Sequence, residues 1–190
     1  MPVSREKSFV FDVDGVLARF TTGACSVHGR PTDETPVWTS WNHQRSWGIE
    51  DVEFYRPMSA DFWRDLPVWE DGMQLLKLVV ARYGTDRVSF LSAPVRTPGC
   101  EEGKRQWFGT HITPLGFDPW ADLFLGGAKW KHAHQDAILL DDSETNCEKW
   151  TAAGGDAILI PRPWNTARYL CDPEGRFHVG NEQDSLEALT

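Results

Sequence analysis

The stretch Phe9-Val10-Phe11-Asp12-Val13-Asp14-Gly15-Val16-Leu17 constrains this chain more than any other. A short apolar run ends in two carboxylates spaced i, i+2 and then a glycine, which lets the backbone turn away without a Cβ clash. If residues 9–11 form a buried strand, Asp12 and Asp14 emerge past its C-terminal end, where open α/β sheets bind their ligands. Two acids converging on one point call for a cation or a shared proton. A divalent ion such as Mg²⁺ suits them, because it takes hard oxygen ligands and leaves positions open for a phosphate. A polar turn after a strand would use the same residues.

Three later stretches repeat the pattern. Val88-Ser89-Phe90-Leu91 runs into Ser92-Ala93-Pro94, where the Ser92 hydroxyl is placed to donate to a phosphate oxygen or simply to face a loop. Leu123-Phe124-Leu125-Gly126-Gly127-Ala128 leads to Lys129, with Lys131 as the alternative cation; most lysines are merely solvated. Ala137-Ile138-Leu139-Leu140 closes in Asp141-Asp142-Ser143, of which Asp142 or Ser143 could equally cap the following helix.

Strands are expected at 9–12, 88–92, 122–126, 137–141 and 157–160, with helices over about 70–83, 99–108, 129–135 and 143–153. Met73, Leu75, Leu76, Leu78, Val79 and Val80 give the first of these helices a broad apolar face, and Gly84 stops it. Strands alternating with helices imply a parallel, doubly wound α/β sheet that brings the four motif ends to one edge. The segment between Leu17 and Trp69 differs, with Phe20, Trp38, Trp41, Trp47, Phe54, Tyr55, Phe62 and Trp63 set among polar residues. The tail after Pro173 is polar, with at most a short helix at 185–189.

The order and spacing of these motifs resemble the haloacid dehalogenase-like phosphohydrolases. The stretch from Leu139 to Cys147, then Trp150, Gly154-Gly155, Ile158 to Pro161 and Pro163-Trp164-Asn165, is similar to the 5′(3′)-deoxyribonucleotidase family. So are Phe62 to Pro67 with Asp71-Gly72, and Ser92-Ala93-Pro94 with Cys100, Gly103-Lys104 and Trp107. The likeness covers about residues 8 to 165. It implies a three-layer α/β/α core (residues 1–17 and 69–190) with a small, mostly helical cap inserted at 18–68. A cap of this kind excludes water and selects the leaving group.

The resemblance also implies roles. Asp12 is the nucleophile that forms an aspartyl-phosphate, and Asp14 is the general acid and then base. Ser92 and Lys129 hold the phosphoryl oxygens. Lys129 is preferred to Lys131 because it directly follows Gly126-Gly127-Ala128 and its distance from Asp141-Asp142 fits many relatives. Mg²⁺ is bound by the Asp12 carboxylate, the Asp14 backbone carbonyl and Asp142, with Asp141 supporting them from behind. Phe20, Trp63 and Ala93 are the expected substrate contacts, the two aromatics by stacking on a base, although most aromatics of the segment would form its own core. The implied substrate is a (deoxy)ribonucleoside monophosphate. Another small phosphometabolite, a nucleic-acid terminus and a catalytically silent phosphate binder are the alternatives. Some characterised members carry arginine directly after the paired aspartates, where this chain has Ser143, and serine cannot reproduce a guanidinium fork.

Composition narrows the setting. The 190 residues, 41% of them hydrophobic, suffice for one α/β domain with an insert. The net charge of −9 argues against binding long nucleic acid. Cys25, Cys100, Cys147 and Cys171 are scattered, as expected of reduced thiols in a cytoplasmic protein. His132 and His134 fall in a predicted helix, where i, i+2 side chains point apart, and read as surface. Arg5, Glu6 and Lys7 precede only a short apolar run, so neither a signal peptide nor a membrane span is expected. The resemblance allows a homodimer, with no interface marked in the sequence.

Overall fold

Continuous apolar runs such as Phe9–Phe11 and Ile138–Leu140 have no polar face to offer water. They therefore fit only strands covered on both sides. The computed structural model, which describes residues 7–30 and 42–177, builds them into one parallel sheet. The strands are β1 (Ser8–Asp12), β2 (Val88–Ser92), β3 (Leu123–Leu125), β4 (Ala137–Asp141) and β5 (Asp156–Leu159), in the order β3-β2-β1-β4-β5. In register, Asp12 lies beside Leu91, and Phe11 beside both Phe90 and Leu140. The chain winds to one side of β1 for two strands and then crosses to the other. The switch point therefore falls at β1, between β2 and β4.

Side chains alternate across the sheet. Phe9, Phe11, Phe90, Ile138 and Leu140 enter the large core with Leu75, Leu76 and Val79 of α5 (Glu70–Tyr83) and Trp107 and Phe108 of α6 (Cys100–His111). Val10, Leu91 and Leu139 point the other way and pack on Trp150 of α7 (Glu144–Ala152). Helices on both faces make the three layers. The expected helix over 129–135 is instead a short 3-10 turn, Lys129–His132. The run Lys-Trp-Lys-His-Ala-His has no apolar stripe to hold a longer helix against the sheet. His132 and His134 are both exposed.

Among the described residues between β1 and α5 are four short helices: α1 (Phe20–Val27), α2 (His43–Trp47), α3 (Asp51–Tyr55) and α4 (Ala60–Arg64). The segment enters and leaves side by side, because Ala18 bridges Val68, Arg19 N donates to Pro67 O and Trp69 N donates to Leu17 O. It docks on the core through α4 and α6. Gly103 allows the contact: a Cβ there would lie 2.7 Å from the Cβ of Trp63. Trp38, Trp41 and the predicted 185–189 helix lie outside the described residues. Among the described residues, no helix is long and apolar enough to cross a membrane.

His43 of α2 is 1% exposed, hydrogen-bonds Thr21 Oγ1 through Nε2 at 2.9 Å, and stacks near Phe20. Burial lowers its pKa to about 3. The folded protein thus keeps this ring neutral, while the unfolded chain protonates it near pH 6.5. Its contribution to stability is complete above pH 6.5 and falls by about 1.4 kcal/mol per pH unit from there toward pH 3. The buried acids described below, with raised pKa values, act in the opposite sense over part of that range. The informative quantity is therefore the difference between wild type and His43→Gln. Urea unfolding should show the wild type losing about 2 kcal/mol relative to the variant between pH 7 and pH 5.

Candidate active site

The ends of β1, β2 and β4 deliver the acids and the hydroxyl to one place, and two buried lysines join them. Asp12, the last residue of β1, accepts from Val13 N at 2.7 Å and pairs with Lys129 Nζ at 2.6 Å through the same oxygen. Lys129, 3% exposed, also donates to Asp141 Oδ2 at 2.7 Å. Asp141 has little left to offer: Ser143 N donates to one oxygen at 2.8 Å and Asn146 Nδ2 reaches both. Asp142 accepts from Trp164 Nε1 at 2.6 Å through Oδ2. Ligand oxygens of Asp12, Asp141 and Asp142 all lie within 4.8 Å of one another.

Electrostatically the cluster is overloaded, with three buried carboxylates sharing one ammonium. Burial raises the Asp12 pKa to about 7, helped by Asp141 and Asp14 and opposed by Lys129. Burial, with Asp141 and Asp12, pushes Asp142 well above the ordinary carboxylate range. Burial works against the Lys129 ammonium, yet the two acids hold its pKa above the usual lysine value. A further cation would relieve the cluster.

Asp14 belongs to a second group. Its Oδ2 accepts from Ser92 Oγ at 3.0 Å and from Lys104 Nζ, while Lys104 also donates to Ser92 Oγ at 3.0 Å. Its Oδ1 is buried with no hydrogen-bond partner among the described residues. The Lys104 ammonium lies 4.5 Å from the Trp63 ring centroid. Sequence reasoning gave Lys104 no role, although a signal existed. In α6 it stands four residues after Cys100, three before Trp107 and four before Phe108, which places it on the buried stripe.

Both groups open into one cavity of about 300 Å³. Asp12, Asp14, Lys129 and Asp142 line its charged part, and Phe20, Tyr55, Trp63 and Ala93-Pro94-Val95 line the rest. Phe20 and Trp63 are 3% and 2% exposed and stack on one another, with centroids 5.4 Å apart and 13° between planes. That stack occupies one face of each ring. Burial pushes the Tyr55 hydroxyl up to about 12, so it stays a neutral donor. Ala93 is exposed at the rim, and Lys131 is exposed while Lys129 is buried. Ser143 caps α7, accepting from Asn146 N at 3.4 Å.

No protein-family model and no curated protein matches this sequence. Solved structures do match its shape. A haloacid dehalogenase-like family hydrolase from Streptococcus pneumoniae shares 13% identity over 99% of this chain and 100% of its own, with a TM-score of 0.55. A haloacid dehalogenase family hydrolase from Deinococcus radiodurans, crystallised with bound phosphate and sodium, shares 17% over 98% and 96%, with a TM-score of 0.53. At such identities the likeness is one of architecture: the chain has a haloacid dehalogenase-like α/β fold.

Proposed function

We propose that this chain is a Mg²⁺-dependent phosphoric monoester hydrolase that acts on (deoxy)ribonucleoside monophosphates. One observation carries the reading: Asp12, Asp14 and Asp142 converge with buried Lys129 at the C-terminal strand ends around the switch point, in a single cavity. The phosphate held by the Deinococcus radiodurans hydrolase of like fold supports it. In this reading residues 18–68 are a cap and the remainder is the catalytic core. The entry and exit of the 18–68 segment, paired at Ala18 and Val68, fit that division.

Asp12 attacks phosphorus in line, a P–Oδ bond to its carboxylate forms, and the bond to the ester oxygen breaks. Asp14 gives the leaving oxygen its proton. Oδ1 is the atom to carry it, since Ser92 and Lys104 already engage Oδ2. Asp14 then takes a proton from the water that attacks the aspartyl-phosphate, which releases phosphate and restores Asp12. Lys129, which lines the cavity, serves the phosphoryl oxygens, and Ser92, buried beside the cavity, would join it by turning its hydroxyl from Asp14 Oδ2 toward the phosphate. The donor set fits a hard divalent cation: Asp12 and Asp142 would hold it, while Asp141 is committed to Lys129, Asn146 and the Ser143 amide. When bound, Mg²⁺ offsets the charge that otherwise keeps an anionic nucleophile from an anionic phosphate.

The aromatic wall of Phe20, Tyr55 and Trp63 supports a base beyond the phosphate, and Ala93 offers a rim contact. The mutual stacking of Phe20 and Trp63, with Ser143 after the paired acids, favours a second reading: another small phosphometabolite. The charge of −9 disfavours long nucleic acid in either case. Inorganic phosphate release from a panel of 5′- and 3′-nucleotides and other phosphate esters decides. Metal-dependent turnover favouring deoxynucleotides is the expected result. Release only from a generic aryl phosphate would keep the chemistry and discard the substrate, and no release from a folded protein would leave a silent binder.

A further inference from the structure

Residues 161–165, Pro-Arg-Pro-Trp-Asn, follow β5 and have no part in the chemistry above, yet they touch both acid-bearing loops. Arg162 is fully buried. Its Nε donates to Gly15 O at 2.6 Å and its Nη2 to Val16 O at 3.2 Å, both carbonyls of the turn that follows Asp14. Asp71 of α5 takes the guanidinium from behind through both oxygens, at 2.7 and 3.2 Å. The Trp69 ring lies 4.1 Å from the guanidinium carbon.

Two residues further on, Trp164 donates its indole N–H to the Asp142 carboxylate. Asn165 Nδ2 donates to Asp142 O at 2.9 Å and Ile160 O at 2.8 Å, and Asn165 Oδ1 accepts from Arg162 N at 3.2 Å. The figure closes at Gly15. Its φ is +86°, and a Cβ there would fall on the Asp142 carboxylate, so the two acid loops abut at that point.

We infer that Arg162 and Trp164 are positioning residues: one short loop sets the spacing and orientation of Asp12 and Asp142 for a divalent cation. The inference rests on the metal-dependent reading above. Physically, a carboxylate hinged at Cβ–Cγ meets a cation well only if its plane is fixed beforehand. Trp164 takes one oxygen in a buried hydrogen bond, and the acid keeps a second for the ion. Arg162 fixes the other loop, where a lysine could not hold two carbonyls and two carboxylate oxygens at once. Groups that orient metal ligands typically change affinity 10- to 100-fold when removed.

The test is direct Mg²⁺ titration by calorimetry, alongside phosphate release against Mg²⁺ concentration, for wild type, Trp164→Phe and Arg162→Lys. Phenylalanine keeps an aromatic ring while removing the donor and part of the indole's bulk. Each variant is expected to bind Mg²⁺ at least about 10-fold more weakly, with much of the Trp164→Phe activity regained at saturating metal. Wild-type affinity in either folded variant would overturn the inference, and Arg162→Lys alone decides should Trp164→Phe not fold. A wild type that binds no Mg²⁺ sinks the metal-dependent reading and this inference with it. Wild-type binding with unaffected variants sinks the inference alone.

Discussion

Asp12→Asn should release phosphate from no member of the panel, with turnover down by about 10⁴-fold or more, because in the function proposed above Asp12 is the nucleophile and an amide oxygen cannot replace its carboxylate. The same change should leave the fold intact. In the wild type Asp12 is a buried acid whose pKa burial lifts to about 7, crowded by Asp141 and Asp14. The asparagine removes one of three carboxylates competing for Lys129, which keeps its bond to Asp141. In chelator at pH 8 the variant is therefore expected to be at least as stable as wild type, by about 1 kcal/mol. With Mg²⁺ the order should reverse, since the wild type gains binding energy that the variant lacks. Phosphate release and urea unfolding, each with metal and with chelator, read both effects. A variant that is inactive because it is unfolded would defeat the argument, as would one that still turns over.

The sheet was legible because its strands are apolar without interruption: 88–92 and 137–141 match the expected bounds, and the other three lie within a residue or so. The polar residue closing each run showed where a site could form, since a parallel sheet sends those ends to one edge. Helix 70–83 followed from its apolar stripe and Gly84. What stayed hidden depends on pairings far apart in the chain. Arg162 and Asp71 are 91 residues apart and Trp164 and Asp142 are 22 apart, and nothing local marks either contact. Lys104 stands 90 residues from Asp14, although its place among Cys100, Trp107 and Phe108 marked it as buried. His43 sits in a stretch with weak periodicity, so neither its helix nor its burial could be read. Phe20 and Trp63 line the cavity, but no sequence pattern shows that two rings will stack on one another.

Lys129→Met tests how far this site depends on a single ammonium. Methionine matches the length and apolar bulk of the lysine stem, so packing changes little. The loss falls on Asp12 and Asp141, each of which gives up its contact with Nζ at 2.6 and 2.7 Å. Removing one partner of a buried ion pair costs about 3–5 kcal/mol, because the remaining charge stays buried without compensation. In chelator the variant should unfold at correspondingly lower urea. The defect should also shrink as pH falls, since protonating Asp12 or Asp142, whose pKa values are already raised, removes the charge that Lys129 balanced. Mg²⁺ should recover part of the loss, about 2.7 kcal/mol at a hundred times its dissociation constant. Catalysis should not recover with it. An ion between Asp12 and Asp142 does not replace a donor to the phosphoryl oxygens, whose removal typically costs about 10²–10³ in turnover. If the variant is as stable as wild type in chelator at pH 8, the three acids do not carry the charge assigned to them. If Mg²⁺ restores stability and turnover together, Lys129 is a counter-ion only.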